Sequence, residues 1–598
     1  MTAPQDPRQS PLDWTQDGQP RSRRFGDVYF SAEDGLAESR AVYLDGCGLP
    51  DAWAGRRTFT VGELGFGTGL NIAALLDLWR RTRPPEGRLQ IFSVEAFPVA
   101  AEEAARALAR WPELAQVVAP LVACWPGYAR GRHRVDLPEW GAILDVAVLD
   151  VGEALAGWAG AANAWFLDGF SPALNPQMWT DEVLALVAAR SAPGARAASF
   201  TVAGQVRRGL AAAGFAVEKR PGHGRKRQRL EARLPGQAAD PPRRRVAIVG
   251  AGIAGAAAAR AVRALGGEAV VVEAAHPGAG GSGNPAALVT PRLDAGLGEA
   301  ARLFAQAVGR AVQLYADVPD AVLARGVLQL AADPRDAERF ARIAGSDVFE
   351  PGALAILDPA AAAARLGEPA PAALDQANAL VVDPAPILAA WTGATHTATV
   401  TSLARDGAGW RLLDAAGGEI VRADAVILAA ALGSRELAPD LPLAPVRGQA
   451  SWSRGGEQAP AAAWGGYVLP TRTGLLFGAT HDRHDAATDL RAADHRRNLD
   501  LLAAALPGLA ARLATGPLEG RAAIRAVTPD RLPLAGSLGE DGLFVLSGFG
   551  SRGFSLAPLL AEHVAALALG APSPIGAAAA ELMAPHRFAR RAARRSRS

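Results

Sequence analysis

Cysteine is almost absent from this chain. Its 598 residues include only two, Cys47 and Cys124, which lie in unrelated contexts without the spacing of metal ligands. This scarcity argues against a disulfide scaffold, a zinc site or an iron–sulfur cluster, and it fits a reducing cytoplasm. We therefore expect no bound metal ion and a cytoplasmic protein.

Long apolar runs and a strong excess of one charge are absent as well. The start of the chain, Met1 to Pro20, is polar, and the longest apolar stretches belong to glycine-rich turns or are interrupted by arginine. We expect neither a signal peptide nor a membrane span. The formal net charge is +2, so any contact with nucleic acid has to come from local basic clusters.

The composition provides material for two hydrophobic cores. Hydrophobic residues make up 49% and charged residues 20%, an ordinary globular balance, and 598 residues exceed what one core usually supports. A stretch rich in proline and small residues, 235–242, separates two organised regions. We predict a first domain over residues 1–235, a linker over 236–244, and a second domain over 245–598 that ends in a basic tail.

Apolar strands alternate with helical segments through the first domain. This alternation predicts βαβ units, and therefore a mostly parallel sheet with helices on both faces. The expected strands are Thr58 to Leu64, Leu89 to Glu95, Val146 to Leu149, Ala164 to Leu167, Ala195 to Thr201 and Phe215 to Lys219.

The first glycine-rich turn follows the strand that ends at Leu64. Its glycines, Gly65, Gly67 and Gly69, allow the backbone to turn tightly and to approach a ligand, and Glu63 adds an acceptor. Glu95 ends the next strand, where an acid can bind both ribose hydroxyls of a nucleoside. A GxGxG turn with an upstream acid favours a cationic cofactor without phosphate over a dinucleotide, and S-adenosylmethionine is such a cofactor.

Asp168 is the candidate catalytic residue of the first domain. It follows the strand Ala164 to Leu167 and precedes a Gly-Phe-Ser-Pro turn, which places its carboxylate at the carboxyl edge of the sheet, beside a methyl donor. An amine acceptor has to be held, deprotonated and aligned with the sulfonium methyl. The alternative role is capping of the following helix. Phe170, Trp179 and Tyr29 are candidate walls of the pocket, and Asp150 is a candidate adenine contact.

The second glycine-rich turn has the full context of a dinucleotide fingerprint. Gly250, Gly252 and Gly255 follow the strand Val246 to Val249, and Glu273 closes the next strand. Because this turn opens a long region with further motifs downstream, FAD is favoured over a nicotinamide cofactor.

Both domains resemble known families. Four separated motifs of the first domain resemble the methyltransferase half of the bifunctional tRNA 5-methylaminomethyl-2-thiouridine biosynthesis proteins; they are residues 26–40, the first glycine turn, residues 168–179 and residues 222–227. The second domain resembles the D-amino-acid and glycine oxidase family of amine oxidases, through Gly281 to Asn284, Asp424 to Ser434, Arg525 to Gly536 and Ser547 to Pro558.

The resemblance implies the fold and the sites. It implies an α/β chain: a class I methyltransferase-like doubly wound sheet, followed by an FAD domain with a Rossmann-type nucleotide-binding part and a mixed-sheet substrate part. Arg525 and Arg552 fall where such oxidases bind the substrate carboxylate, a task that suits the bidentate guanidinium. A surface or structural ion pair is the alternative for either arginine. The expected cofactor-binding residues also include Ser282, Asn284, Gly550, Ser551 and Gly553.

The two implied reactions follow each other. Oxidative loss of a carboxymethyl group from a carboxymethylaminomethyl uridine exposes the primary amine that the first domain then methylates, and the resemblance places that uridine at the wobble position of a tRNA anticodon loop. A polyanionic partner needs local basic surface. Candidates are the arginines of residues 243–245, the six arginines of residues 586–598, and a cluster formed by Arg207, Arg208, Lys219, Arg220, Arg225, Lys226, Arg227, Arg229 and Arg233. For the C-terminal segment, a disordered solvated tail is the alternative to an RNA-binding arm.

Two other functions fit part of the pattern. One is a small-molecule amine oxidase and N-methyltransferase that does not act on RNA. The other is a tRNA-binding module with degenerate sites, against which the intact Glu63, Gly65, Asp168, Gly250 and Arg552 speak. We expect a monomer without a membrane partner.

Overall fold

The structure is a computed structural model that describes residues 10–31, 33–224 and 227–595, without the side chains of residues 594 and 595. It divides into two compact units. The first contains the described residues up to Pro242 and also Pro572–Ala577, and the second contains Arg243–Ala571 and the described residues from Ala578. The short segment Pro572–Ala577 thus belongs to the first unit, although the sequence analysis counts it with the second domain.

The described residues of the first part of the chain form ten strands and seven α-helices. In chain order they are β1 (Leu12–Trp14), β2 (Pro20–Ser22), α1 (Gly35–Ser39), β3 (Thr58–Leu64), α2 (Leu70–Thr82), β4 (Arg88–Val94), α3 (Ala101–Leu108), α4 (Ala115–Ala123), β5 (Gly131–Leu137), β6 (Ala142–Val148), α5 (Val151–Gly157), β7 (Ala162–Leu167), α6 (Asp181–Ala189), β8 (Ser191–Ser199), α7 (Gly204–Ala212), β9 (Ala216–Pro221) and β10 (Gln228–Arg233).

Eight of these strands form one sheet, in the order β5-β6-β4-β3-β7-β8-β10-β9. Its five central strands run parallel. Alternate residues of a strand point to opposite faces, and both faces are buried: Ile91 packs in one apolar layer and Phe92 in the other. The predicted doubly wound sheet is confirmed, and its switch point lies beside β3, where the chain crosses from one side of the sheet to the other.

The predicted strand Thr58 to Leu64 matches β3, and the other predicted strands are present with shifted ends; Val146 to Leu149, for example, is the end of the longer strand β6. The prediction missed β1, β2, β5 and β10. In β5 the arginines hide the strand pattern, because Arg134 is buried and pairs with Asp145, its cross-strand neighbour on β6, through two hydrogen bonds of 2.7 Å.

The second part of the chain contains nineteen strands and eleven helices among the described residues. The strands are β11 (Arg245–Val249), β12 (Glu268–Glu273), β13 (Ala287–Val289), β14 (Val322–Leu330), β15 (Leu354–Leu357), β16 (Ala373–Val382), β17 (Thr395–Thr397), β18 (Ser402–Asp406), β19 (Gly409–Leu413), β20 (Glu419–Ala423), β21 (Ala425–Leu428), β22 (Ala444–Arg454), β23 (Ala462–Ala463), β24 (Tyr467–Pro470), β25 (Gly474–Gly478), β26 (Asp482–Arg483), β27 (Leu518–Val527), β28 (Leu534–Ser537) and β29 (Leu543–Ser547). The helices are α8 (Ile253–Ala264), α9 (Glu299–Ala316), α10 (Asp336–Ala344), α11 (Pro359–Leu366), α12 (Pro384–Thr392), α13 (Ser434–Leu437), α14 (Ala492–Ala503), α15 (Pro507–Leu513), α16 (Gly553–Leu569), α17 (Ala577–Met583) and α18 (Arg587–Arg595).

The nucleotide-binding part of the second unit is a six-stranded sheet in the order β17-β12-β11-β21-β29-β28, in which only β28 is antiparallel to its neighbour. Beside it lie a ten-stranded mixed sheet and a three-stranded sheet, β18-β19-β20. The predicted Rossmann-type part and mixed-sheet part are confirmed. No helix among the described residues is both long and apolar enough to span a bilayer.

Candidate active sites

The first cavity lies at the carboxyl ends of β3, β4 and β7. Its volume is about 830 Å³, and its lining includes Gly65, Gly67, Glu95, Asp150 and Asp168. The structure thus brings together most of the residues that the sequence assigned to the first site. This convergence follows from the parallel sheet, because its strands end at the same edge.

Gly65 sets the distance between the glycine turn and Asp168. Its φ is +96°, and a Cβ at this position would lie 2.1 Å from the main-chain oxygen of Asp168. No other residue fits there, since real Cβ contacts this short do not occur. The turn therefore packs directly against the strand end that carries the candidate catalytic carboxylate.

The two predicted acids of this turn occupy different places. Glu95 lines the cavity, and its carboxylate accepts hydrogen bonds from the N–H groups of Gly67 (2.9 Å) and Phe97 (2.8 Å). Burial raises the pKa of Glu95 above its ordinary value, and these N–H donors oppose the shift. Its binding of ribose hydroxyls stays a prediction, for which the carboxylate retains acceptor capacity.

Glu63 does not line the cavity. It is fully buried behind the turn, where its carboxylate accepts a hydrogen bond of 2.5 Å from Ser93 Oγ. Burial raises the pKa of Glu63 well above its ordinary value. The structure thus corrects the expectation of an acceptor exposed to the cofactor: Glu63 supports the turn from below.

Asp168 is held by two donors that come from different parts of the chain. Tyr43 Oη donates to Oδ1 at 2.5 Å, and Asn71 Nδ2 donates to Oδ2 at 2.6 Å. Ser39 Oγ in turn donates to Asn71 Oδ1 at 2.7 Å. Burial, together with the charge of Asp168, raises the pKa of Tyr43 well above its ordinary value, so the phenol keeps its proton and remains a donor.

The alternative role of Asp168 as a helix cap is wrong. The next helical segment begins at Pro176 and is preceded by Asn175, and Thr180 caps α6. The sequence analysis did not identify Tyr43 or Asn71. Asn71 directly follows the glycine turn, which is a usable signal, whereas nothing in the local sequence marks Tyr43.

The charged side chains in the lining of the first cavity are predominantly acidic. Its acidic lining residues outnumber the two arginines, Arg24 and Arg130; the acids are Asp27, Glu33, Asp34, Glu38, Glu95, Asp150 and Asp168. Such a lining suits cationic ligands such as a sulfonium or an ammonium group. Asp150 also caps α5 by accepting from Gly152 N at 2.9 Å, and its adenine contact stays a prediction.

Two of the three predicted aromatic walls line the cavity. The rings of Tyr29 and Phe170 meet edge to face with centroids 5.1 Å apart. Trp179 is buried outside the lining, where its indole N–H donates to the main-chain oxygen of Phe170. The prediction that Trp179 walls the pocket is therefore wrong; it supports the turn that carries Phe170.

The second cavity lies between the nucleotide-binding sheet and the mixed sheet of the second unit. Its volume is about 580 Å³, and its lining includes the predicted residues Gly252, Ser282, Asn284, Gly550, Ser551, Gly553, Arg525 and Arg552. Gly250, Gly255 and Glu273 lie behind this lining. A Cβ on Gly255 would lie 1.8 Å from the main-chain oxygen of Gly250, so the turn closes only with glycine.

The polar groups of this cavity fit a dinucleotide. Ser282 Oγ accepts from Ile253 N at 3.0 Å, at the first turn of α8, and Gly550 to Gly553 lead into α16. Two helix N-termini therefore face one cavity and offer N–H groups to anionic ligand atoms. Glu273 accepts from Ala251 N at 2.7 Å and from Ala275 N at 3.0 Å, which fixes the turn, and its ribose contact stays a prediction.

Arg525 and Arg552 bring two guanidinium groups to this cavity. Arg525 Nη1 donates to the main-chain oxygen of Thr480 at 3.1 Å, and neither guanidinium pairs with a carboxylate among the described residues. Burial lowers the pKa of Arg525, and burial with the charge of Arg292 lowers the pKa of Arg552. The alternative of a structural ion pair is therefore wrong for both within the described part of the chain. The cavity also contains Arg292, Tyr467 and His481, which the sequence analysis did not identify.

The basic residues differ in their exposure and in whether they pair with a carboxylate. In the first unit Arg207, Arg208 and Lys219 are exposed. Arg220 and Arg229, by contrast, each lie within salt-bridge distance of Glu231. Arg225, Lys226 and Arg597 lie outside the described residues.

The C-terminal segment is ordered in its described part. It forms α18 rather than the disordered tail considered above, and buried Arg587 pairs with Asp530 at 3.0 Å. Arg591 also pairs with Asp530, at 2.6 Å.

The folds and the two cavities define a class of protein: an S-adenosylmethionine-dependent methyltransferase joined to an FAD-dependent oxidoreductase. Residues 112–235 match the family model described as S-adenosyl-L-methionine-dependent methyltransferase, and residues 245–567 match that of FAD dependent oxidoreductase.

Relatives match the whole chain. The tRNA 5-methylaminomethyl-2-thiouridine biosynthesis bifunctional protein MnmC of Caulobacter sp. (strain K31) is 60% identical over 98% of this chain and 99% of its own length. The protein of the same name from Caulobacter vibrioides is 62% identical over 97% and 98%, and that from Maricaulis maris is 44% identical over 98% and 97%. Among solved structures, iminodiacetate oxidase from Chelativorans sp. BNC1 is 22% identical with a TM-score of 0.48, over 55% of this chain and 96% of its own.

The chain therefore belongs to the family of tRNA 5-methylaminomethyl-2-thiouridine biosynthesis bifunctional proteins, and its cofactors are S-adenosylmethionine and FAD.

Proposed function

We propose that this protein modifies the wobble uridine of tRNA in two steps. The second unit removes the carboxymethyl group from 5-carboxymethylaminomethyl-(2-thio)uridine and leaves the 5-aminomethyl form, and the first unit methylates that amine to 5-methylaminomethyl-(2-thio)uridine. One observation carries the proposal: the first cavity is lined by carboxylates, and the second contains guanidinium groups that pair with no carboxylate in the described part of the chain. The first cavity suits an ammonium group, and the second suits a carboxylate. The tRNA and the modified base come from the name that the relatives carry.

In the oxidative step, Arg525 and Arg552 bind the carboxylate of the substrate and orient the carbon between carboxylate and amine. FAD, when bound, accepts a hydride from that carbon. Loss of this hydride from carbon, with loss of the N–H proton to water, turns the secondary amine into an imine, and water splits the imine into the primary amine and glyoxylate. The N-terminus of α16 stabilises negative charge near Gly550 to Gly553.

In the methylation step, Asp168 orients the substrate amine and holds its proton. A primary alkylamine is mostly protonated at neutral pH, so its lone pair becomes available only after that proton leaves. Tyr43 and Asn71 occupy one position on each carboxylate oxygen and fix the plane in which Asp168 accepts from the amine. S-adenosylmethionine, when bound, supplies the methyl group on a sulfonium.

The RNA substrate has to present its base outside a stack. An anticodon loop permits this at low cost, and the exposed residues Arg207, Arg208 and Lys219 offer phosphate contacts in the first unit. We further propose that the protein acts in the cytoplasm as a monomer, which sedimentation of the purified protein at several concentrations tests.

Mass spectrometry of wobble nucleosides tests the division of labour. Cells that lack the protein are complemented with wild type, Asp168→Ala, Arg552→Ala or the control Arg411→Ala; Arg411 lies on β19 and lines neither cavity. Asp168→Ala is expected to accumulate the 5-aminomethyl nucleoside, and Arg552→Ala the carboxymethylaminomethyl nucleoside. Identical profiles from these two variants would refute the proposal.

Purified protein separates the proposal from its alternatives. A small-molecule enzyme would oxidise N-substituted glycines as fast without RNA, and RNase treatment of the substrate would change nothing. A degenerate tRNA-binding module would retain no flavin and would transfer no methyl group from labelled donor to undermodified tRNA.

A further inference from the structure

Arg521 makes an unusual set of contacts beside the second cavity. It lies on β27, four residues before Arg525. Its Nη2 group donates to three consecutive main-chain oxygens, those of Gly278 (3.3 Å), Ala279 (2.6 Å) and Gly280 (2.7 Å). Three carbonyl oxygens that converge on one point repel each other, and a cation at that point offsets the repulsion. The guanidinium therefore holds this bend of the chain together.

The bend continues directly into the cofactor-binding loop. Gly281, Ser282 and Asn284 line the second cavity, and Ser282 contacts the first turn of α8. The loop closes on itself at Gly283, where a Cβ would lie 2.4 Å from the main-chain oxygen of Gly278 and 3.1 Å from Arg521 Nη2. Arg521 thus contacts the loop at both of its ends.

Arg521 also has an unused donor. Its Nη1 atom is buried and finds no hydrogen-bond partner among the described residues, and burial lowers the pKa of the guanidinium. Because Arg521 is not part of the cavity lining, its link to the second cavity runs through the contacts of Nη2 with the loop.

We propose that Arg521 is an FAD-positioning residue: through three carbonyl oxygens it fixes the loop 278–284, which carries Ser282 and Asn284 in the lining of the second cavity. The inference rests on the proposed use of Ser282 and Asn284 by FAD, and it assigns to a residue outside the cavity lining a role in cofactor retention.

The test measures FAD affinity of the full-length apoprotein by quenching of flavin fluorescence. Arg521→Gln keeps a polar side chain but removes the charge and the guanidinium, and we expect it to raise the dissociation constant of FAD on the order of 10- to 100-fold, the effect of losing a charge-assisted hydrogen bond to the loop. Arg521→Lys restores the charge but not the fork, so its dissociation constant is expected between those of wild type and Arg521→Gln. Arg411→Gln, in the three-stranded sheet, is the matched control and should bind FAD as the wild type does.

The circular dichroism spectrum and the thermal unfolding of each apoprotein report whether the second unit of the variant is folded, and binding of S-adenosylmethionine reports the same for the first unit. An Arg521→Gln protein that binds FAD within twofold of wild type would overturn the inference, even if its apoprotein unfolds at a lower temperature, because that result assigns Arg521 a structural role alone. Failure of the wild-type protein to bind FAD would instead refute the proposed function.

Discussion

Replacement of Gly448 by alanine is expected to disable carboxylate binding in the second unit while the flavin stays in place. Gly448 lies on β22 opposite β27, and the guanidinium of Arg525 packs directly on its Cα. A Cβ there would lie 2.0 Å from Arg525 Nη1, 2.3 Å from Cζ and 2.4 Å from Nη2. Contacts this short do not occur, so the guanidinium has to move by roughly an ångström.

The size of the effect follows from what that movement removes. A displaced guanidinium loses at least one charge-assisted hydrogen bond to the substrate carboxylate, worth about 1.5–3 kcal/mol, which corresponds to a rise in KM of about 10- to 150-fold. The φ of Gly448 is not positive, so the backbone itself accepts alanine. We therefore expect a folded protein with an unchanged flavin spectrum.

The assay is steady-state oxidation of carboxymethylaminomethyluridine in tRNA. Gly309→Ala is the control, because a Cβ at Gly309 on α9 meets no atom within 4 Å. If Gly448 acts only through Arg525, the double variant Gly448→Ala/Arg525→Gln is no worse than Arg525→Gln alone. An unchanged KM in Gly448→Ala, or fully additive losses in the double variant, would refute the reasoning.

Three further changes test other parts of the structure. Burial lowers the pKa of His563 to about 4. The unfolded chain therefore binds this proton more tightly than the folded chain does. The contribution of His563 to the free energy of unfolding is fully present above pH 6.5, and about 3 kcal/mol is lost as the pH drops towards 4. Denaturant unfolding at several pH values should show this loss in wild type and a smaller one in His563→Leu, and equal losses would contradict it. Gly65→Ala places a Cβ against Asp168, so methyl transfer from labelled donor should be lost while oxidation of the substrate continues; retention of methyl transfer would count against the described turn. Arg310→Met removes the main partner of buried Glu562, a pair with a separation of 2.6 Å, and should lower the free energy of unfolding by about 3 kcal/mol; a loss below about 1 kcal/mol would mean that the remaining partners compensate Glu562.

The glycine turns could be predicted because their information is local. In each motif a strand, a tight turn and a helix occupy one continuous stretch of sequence. The turns Gly65 to Gly69 and Gly250 to Gly255 can therefore be recognised without knowledge of any long-range contact. The same holds for Asp168, which directly follows a strand. Errors arose where a side chain's direction mattered: Trp179 belongs to a correctly predicted motif, but its ring turns into the core.

The sequence by itself determined that two nucleotide-binding sheets are present and which cofactor each turn favours. Only the tertiary structure decided which acids face a cavity and which support it, since Glu63 and Glu95 differ by burial and not by residue type. The fold alone also brought Tyr43 to Asp168, 125 residues away, and set Gly448 beneath Arg525 on a neighbouring strand. A local sequence pattern predicts the geometry of the backbone. The partners of a side chain depend instead on how distant segments pack, so these contacts could be identified only in the folded structure.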